Sequence, residues 1–100
     1  MKTYKTIKKL FNKENLSWNN DREHNLMCVR IAERRLRTWI TAIGWASLND
    51  AYDFLGFPRT MEGQKLGWTD DALKEDLFNV YYTDGDPDLI IEFRDLTELF

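Results

Sequence analysis

Cysteine, histidine and proline are scarce in this sequence of 100 residues, which holds one Cys, one His and two Pro. A single thiol cannot close an internal disulfide. Five glycines and two prolines are too scattered to form a linker. No apolar run approaches the roughly 20 residues that span a bilayer, and no signal-peptide segment follows the first residues. We therefore expect a soluble cytoplasmic protein that makes no membrane contact.

The apolar content is that of a folded domain. Hydrophobic residues make up 43% of the chain, aromatic residues 14% and charged residues 31%. This supply is enough to bury a core, and it argues against intrinsic disorder. A chain of 100 residues has no room for a second core of ordinary size. We therefore expect a single domain over residues 1–100.

Charge is divided unevenly along the chain, although the formal net charge is only -3. Residues 1–50 hold ten Lys or Arg and five Asp or Glu, a balance of +5; residues 51–100 hold four and twelve, a balance of -8. Two such halves are either ordinary solvated surfaces that attract each other or a docking face for a charged partner. Whether the acidic or the basic half would be that face stays open.

A long central helix is predicted over residues 21–43. Asn20 is placed to cap its first turn, and Gly44 is placed to end it. At 100° per residue, one face gathers the apolar residues expected to build the core: Val29, Ala32, Leu36, Trp39, Ile40 and Ile43. The opposite face carries three cations, here called the arginine stripe: Arg30, Arg34 and Arg37. We expect the arginine stripe to face water.

The rest of the chain is predicted to form short helical turns and hairpins. In the basic N-terminal segment, residues 1–19, the stretch Tyr4–Trp18 fits either an amphipathic helix or a strand, turn and strand, and the hairpin is favoured. Short helical turns are expected in residues 47–67 and a C-terminal hairpin in residues 77–93. The fold class is therefore α+β: one long central helix, two or three short helical turns, and one or two antiparallel β-hairpins packed on the helix.

Local signals define the short helical turns. Residues 47–50, SLND, have the pattern of a capping box, and Gly56 stands where the first short helix should end. Thr60 is placed to cap a further turn, with Gly67 as its left-handed terminator. Trp68 is then expected to fold back into the core as the accompanying hydrophobic contact.

A recognisable pattern follows the long helix: SLNDAYDFLG at residues 47–56, then Arg59-Thr60, Gly63 and Leu66-Gly67-Trp68. It resembles the C-terminal region of a family of uncharacterised phage and prophage proteins, with SLN-x-x-Y-D-x-LG, then T-x-x-G-x-x-LGW, then an isoleucine-rich hairpin. With residues 32–36 and the hairpin, the likeness covers roughly two thirds of this chain. Longer members carry apolar upstream segments that this chain lacks. The resemblance implies a viral or mobile-element origin and, by analogy, binding to a protein of a bacterial host.

Few residues have the spacing of a catalytic or metal site. His24 and Cys28 lie four positions apart on the helix, but two ligands do not make a zinc site, and a Cys–His nucleophile would need an orienting third group. Asp84, Asp86 and Asp88 alternate as in calcium loops, but the glycine is misplaced for an EF-hand, so an acidic turn is the better interpretation. We expect no enzymatic activity, no cofactor and no metal.

Binding of another protein is the predicted function, with a host antiviral factor as one candidate target. The predicted partner-binding residues are Arg30, Arg34, Arg37, Trp45, Asp84, Asp86 and Asp88. Trp45 is expected to be exposed because it adjoins Gly44 in a connection. The alternative is a nucleic-acid-binding module that joins the arginine stripe to the N-terminal lysines: Lys2, Lys5, Lys8, Lys9 and Lys13. Association between copies of the chain stays open.

Overall fold

The computed structural model describes residues 4–83 and 88–99, which form an α+β domain. Its elements are β1 (Lys5–Phe11), α1 (Arg22–Ile43), β2 (Trp45–Ser47), α2 (Leu48–Leu55), α3 (Met61–Lys65), β3 (Leu66–Thr69), a 3-10 helix (Asp70–Lys74), β4 (Phe78–Tyr82) and β5 (Leu89–Glu98). The α+β class agrees with the sequence prediction.

Strand β5 is the centre of the sheet. Its first half pairs with β1 on one side and with β4 on the other, and its end pairs with β3, which in turn pairs with β2. Every pairing is antiparallel. Val80 lies opposite Ile91, so the inward side chains of β4 and β5 share a face, as alternation predicts. The predicted acidic turn falls on residues 84–87, which lie outside the described residues.

A bulge separates the two halves of β5. Phe93 lies opposite Ile7, but the next pair on β1 is Lys5 with Leu96, so β5 carries one extra residue. Asp95, in this extra stretch, has a φ of 57°. The left-handed region is reached by Asp more readily than by most residues. The bulge bends β5 so that its final residues reach β3.

The hydrophobic core lies among α1, α2 and the sheet. Its aromatic centre is a set of edge-to-face contacts in which the Phe93 ring lies 5.0 Å from Phe78 and 5.6 Å from Tyr52. The largest fully buried side chains are Trp68, Tyr52, Phe11, Phe78, Phe93, Leu36, Ile40, Leu48, Leu55, Leu77, Leu89 and Ile91. The prediction that Trp68 is buried is confirmed.

Helix α1 begins at Arg22, one residue later than predicted, and its N-cap is Asp21. The Oδ1 atom of Asp21, not the side chain of Asn20, accepts hydrogen bonds from the backbone N–H groups of Glu23 and His24, at 2.9 and 3.4 Å. The prediction of Asn20 was wrong. Asn and Asp are both favourable N-cap residues, so the sequence does not choose between Asn20 and Asp21, and the backbone conformation places Asp21 at the cap. Gly44 ends the helix with a φ of 102°, as predicted.

Two apolar residues of α1 were wrongly predicted to build the core. Trp39 and Ile43 are exposed, while Val29, Leu36 and Ile40 are fully buried. Ile43 lies in a stretch, residues 41–45, that is exposed throughout, whereas Trp39 lies between the buried Leu36 and Ile40 at the edge of the apolar face. Helical periodicity identifies the apolar side of a helix but not how far its neighbours reach.

The N-terminal segment is a strand followed by a turn, so the favoured hairpin is only half correct. Residues 16–18 form no strand, and β1 pairs with β5. The turn is held instead by Asn15, whose Nδ2 donates to the Leu55 carbonyl at 2.9 Å while its Oδ1 accepts from the Ser17 N–H at 2.8 Å. The chain therefore turns towards α2 after β1.

Tyr52 provides a test of the core at high pH. It is 1% exposed, and burial, with a smaller contribution from Glu62, raises the pKa of its phenol from 10.0 to about 12. Between these values the unfolded chain loses a proton that the folded chain retains, so the free energy of unfolding falls as pH rises. We expect a slope of at most about 1.4 kcal/mol per pH unit, measured by urea titration. The Tyr52→Phe variant should lose this slope; an unchanged slope would contradict the assignment.

Candidate partner-binding surface

The SLND segment builds the junction between β2 and α2. The hydroxyl of Ser47 accepts from the N–H of Asp50 at 3.2 Å, and the Asp50 carboxylate accepts from the N–H of Ser47 at 2.9 Å. This is the predicted capping box, with Asp in the place of the usual Glu. Gly56 ends α2 with a φ of 84°, also as predicted.

Asn49 joins α2 to the segment that leads into α3. Its side chain is buried, and it donates to the Thr60 carbonyl and accepts from the Thr60 N–H, both at 2.9 Å. The Thr60 hydroxyl in turn accepts from the N–H of Gly63 at 2.8 Å, which caps α3 as predicted. A Cβ atom at Gly63 would lie 2.2 Å from the Asn49 Oδ1, so a side chain does not fit there.

Arg59 and Asp53 form an ion pair across the Gly56 turn. Two nitrogens of the Arg59 guanidinium lie 3.1 and 2.8 Å from the two oxygens of Asp53, a bidentate arrangement. The hydrogen bond and the charge of Asp53 raise the pKa of Arg59 above its usual value. Because both groups are at the surface, the pair contributes little stability and mainly fixes the turn.

Gly67 is a strand residue, so its predicted role as a helix terminator was wrong. It lies in β3 opposite Ser47 and Thr97, and a Cβ there would lie 2.1 Å from the Ala46 carbonyl oxygen. The neighbouring Trp68 donates from Nε1 to the Arg94 carbonyl at 2.6 Å, beside the bulge in β5. The residues of the SLN to LGW pattern therefore serve the scaffold: they cap helices, fix turns and let strands approach closely.

The arginine stripe is only partly directed to solvent. Arg37 is half-buried, and its guanidinium donates to the carbonyls of Leu73 and Glu75 at 2.6 and 2.8 Å, where the 3-10 helix ends. Arg30 pairs with the buried carboxylate of Glu33 at 3.0 Å. Arg34 is exposed. Two of the three guanidinium groups thus support the fold, and the expectation that all three face water does not hold for Arg37.

The predicted acidic group cannot be assembled from the described residues. Asp84 and Asp86 lie outside them. Asp88 is half-buried, and its carbonyl accepts from the N–H of Thr83 at 3.2 Å. Of these three residues, only Asp88 can therefore be placed, at the start of β5.

Two of the N-terminal lysines are engaged by their neighbours. Lys8 pairs with Glu92 at 3.3 Å on the side of the sheet that faces away from the core, and this hydrogen bond raises the pKa of Lys8. The hydrogen bond from Asn79, and then that from Lys8, lower the pKa of Glu92. The ammonium group of Lys9 lies 5.3 Å from the centre of the Tyr52 ring, a cation–π distance.

Of the remaining N-terminal lysines, two are exposed and one lies outside the described residues. Lys5 and Lys13 are exposed, on β1 and in the turn after it, and Lys2 lies outside the described residues. Lys8 points away from the core on the sheet side, whereas Arg34 points away from it on the α1 side. Lys8 and Arg34 therefore face different directions.

His24 and Cys28 do meet on α1. The Cys28 Sγ lies 3.4 Å from the His24 Nε2, which is also 3.3 Å from the Ser17 carbonyl oxygen. Over residues 4–83 and 88–99 there is no group of three His, Cys, Asp or Glu side chains that would hold a metal ion. In the same part of the chain, no helix has the length and apolar character needed to cross a membrane.

A row of exposed side chains occupies every fourth position of α1, and we call it the outer ridge: Met27, Ile31, Arg35, Trp39 and Ile43. The four apolar members are 61%, 41%, 46% and 54% exposed, in chain order. Trp45 on β2 is 41% exposed, and the prediction that it is exposed is confirmed. The outer ridge ends beside this tryptophan.

Sequence reasoning missed the outer ridge, although the chain contained a signal for it. Met27 and Ile31 lie on the side of α1 that the helical pattern assigns to solvent, and Trp39 lies on its flank. Single exposed apolar residues are ordinary, but four of them in one contiguous row are not. The repeat of large exposed side chains at every fourth residue of α1 identifies the row.

In the part of the chain that the structure describes, the protein is a small α+β domain with exposed apolar residues on one helix. The chain belongs to a family of unknown function (DUF6353), whose sequence model matches residues 2–96. No curated protein and no solved structure matches the chain.

Proposed function

We propose that this chain is a non-catalytic domain that binds another protein through the outer ridge and Trp45. The observation that carries the proposal is the contiguous exposed row on α1. An apolar row left in water is costly, and such patches on soluble proteins commonly mark interaction sites. Tryptophan and arginine, both present here, are enriched where binding energy is concentrated.

The use of the polar residues supports a binding role over a catalytic one. The buried Asn49 and Glu33 side chains have backbone partners, and Arg59 has Asp53. Each therefore has a structural role, and none points into a cavity as a catalytic acid or base would.

A target in a bacterial cell follows from the likeness of the SLN to LGW pattern to phage and prophage proteins. We extend the proposal accordingly: the domain acts in the cytoplasm of a bacterial host, where it binds and inhibits a host factor, such as a component of antiviral defence. This extension rests on analogy with small proteins of mobile elements.

Nucleic-acid binding is the weaker candidate. It would need a continuous cationic surface, because phosphate neutralisation supplies most of the non-specific affinity. Lys8 is paired with Glu92, Lys9 lies against the Tyr52 ring, and Arg37 is bound to carbonyl groups.

Affinity capture with mass spectrometry tests the proposed function. We expect the purified chain to recover a stoichiometric protein partner from a bacterial lysate, and an Ile31→Ser, Trp39→Gln double variant to recover at least tenfold less. Both positions are exposed, so the double variant should keep its melting temperature.

Met61→Ser is the matched control, since Met61 is 80% exposed and lies on α3, not on α1. It should capture as much partner as the native chain. Equal capture by the double variant and the control would contradict the proposal, and so would a salt-sensitive gel shift with DNA in the absence of any protein partner.

A further inference from the structure

The spacing of the outer ridge specifies the shape of its partner. Side chains four residues apart form one of the ridges of a helix surface, and such a ridge packs into the groove of a second helix at a crossing angle of about -50°. From Met27 to Ile43 the row extends about 24 Å, or more than four helical turns. Successive members also rotate by about 40° around the helix axis, so Ile31, Arg35 and Trp39, which lie within about 80° of each other, are the members that one crossing helix contacts together.

The charge around the outer ridge specifies the chemistry of its partner. Arg35 lies in the middle of the row, and Arg34 is exposed beside it. Glu33 is the one acidic residue between His24 and Asp50 in the sequence, and it is buried. The exposed face of α1 from position 24 onwards therefore carries positive charge without exposed negative charge, and an acidic partner complements it.

A second copy of the chain is a poor occupant of the outer ridge. In a two-fold dimer with parallel α1 helices, Arg35 would face Arg35 of the other copy. In an antiparallel dimer centred on the ridge, the same two guanidinium groups would meet. Like charges at the centre of an interface are unfavourable, so the ridge fits a different chain better than itself.

We propose that the outer ridge binds an amphipathic helix of another protein, one that places an Asp or Glu against Arg35 and apolar residues on either side of it. This inference rests on the proposed function and specifies its partner. Ile31 and Trp39 are the apolar anchors, and Arg35 sets the register between them. The acidic residue of the partner lies between its own apolar positions.

The size of the outer ridge sets the expected affinity. The part from Ile31 to Trp39 is about 12 Å long and, at the width of a helix of about 10 Å, covers on the order of 120 Å². Stable complexes bury about 800 Å² on each partner. We therefore expect an isolated partner helix to bind with a dissociation constant near the micromolar range, so the assay must be sensitive to weak binding.

Selection from a yeast-displayed library of amphipathic helices tests the inference, because multivalent display retains micromolar binders. The library varies the charged positions freely between acidic and basic residues. We expect the selected helices to carry Asp or Glu between their apolar positions. In fluorescence polarisation, Arg35→Glu should weaken their binding at least tenfold, and replacing the peptide acid by Lys should restore binding to that variant.

Lys13→Glu is the matched control, since it makes the same change in net charge at an exposed position off the ridge. It should leave binding within twofold. Selected helices that are basic, or that bind Arg35→Glu as well as the native chain, would overturn the inference while leaving the captured partner of the proposed function in place. Recovery of no helix above background would also overturn it.

Two further experiments test whether a second copy of the chain or a lipid surface occupies the outer ridge instead. Sedimentation equilibrium should show a monomer at micromolar concentration, and vesicles of equal parts phosphatidylglycerol and phosphatidylcholine should not bind the chain. A dimer that Arg35→Glu strengthens, or vesicle binding that Ile31→Ser abolishes, would assign the ridge to a second copy or to a lipid surface and overturn the inference.

Discussion

Gly67→Ala should destabilise the fold by about 3 kcal/mol or more, at or beyond the upper end of the usual cost of overpacking. The added Cβ would lie 2.1 Å from the Ala46 carbonyl oxygen and 2.8 Å from the Ser47 Cα. Both are backbone atoms of the paired strand, so relief requires β2 and β3 to separate. Urea denaturation should show a lower midpoint, or no folded baseline at all.

Gly44→Ala is the matched control for this prediction. A Cβ at Gly44 would have no neighbour within 4 Å, so its cost is limited to the φ of 102°. We expect about 1–2 kcal/mol for an alanine forced into a left-handed conformation. If Gly44→Ala cost as much as Gly67→Ala, the close approach of β2 to β3 would not be the reason for the glycine in the LGW segment.

Glu33→Ala should cost about 3–5 kcal/mol, measured in the same way. The Glu33 Oε2 accepts from the N–H groups of Leu77 and Phe78 at 2.9 and 3.1 Å, in a buried site where β4 begins. Alanine leaves both donors without an acceptor, and each buried unsatisfied group costs about 1–3 kcal/mol. We expect this loss because Leu77 and Phe78, which carry the two donors, are each only 1% exposed.

Arg30→Ala separates the two roles of Glu33. It removes only the exposed partner in the 3.0 Å ion pair, so it should cost less than about 1 kcal/mol. If Arg30→Ala were as costly as Glu33→Ala, the ion pair and not the backbone contacts would hold α1 to β4.

The parts of the fold that were predicted correctly depend on neighbours in the sequence. The capping box at Ser47, the cap at Thr60 and the left-handed Gly44 each involve contacts within four residues, and their residue types report these contacts directly. These contacts do not depend on distant parts of the chain, so the local sequence is enough to predict them.

The errors arise where distant segments decide the structure. Gly67 follows a helical turn, and only its pairing with Ser47 shows that it is a strand residue. The partner of β1 is β5, some 80 residues away, and no residue between positions 4 and 18 indicates this pairing. Trp39 has the spacing of a core residue, but it lies at the edge of the apolar face and is exposed although Leu36 and Ile40 on either side of it are fully buried.

The candidate surface was only partly predictable for the same reason. The exposure of Trp45 followed from its place beside Gly44, a local argument. The engagement of Arg37 by the carbonyls of Leu73 and Glu75 depends on a segment more than 30 residues away. A guanidinium on a predicted solvent face can therefore have a structural partner that the helical pattern does not reveal.

The central position of β5 affects the order in which the protein can form. Strands β1, β3 and β4 all pair with β5, which the ribosome makes after them. The apolar faces of α1 and α2 therefore stay uncovered until residues 89–98 have been made. Closing such sequence-distant pairings is slow. We expect the sheet to form only after residues 89–98 have left the ribosome.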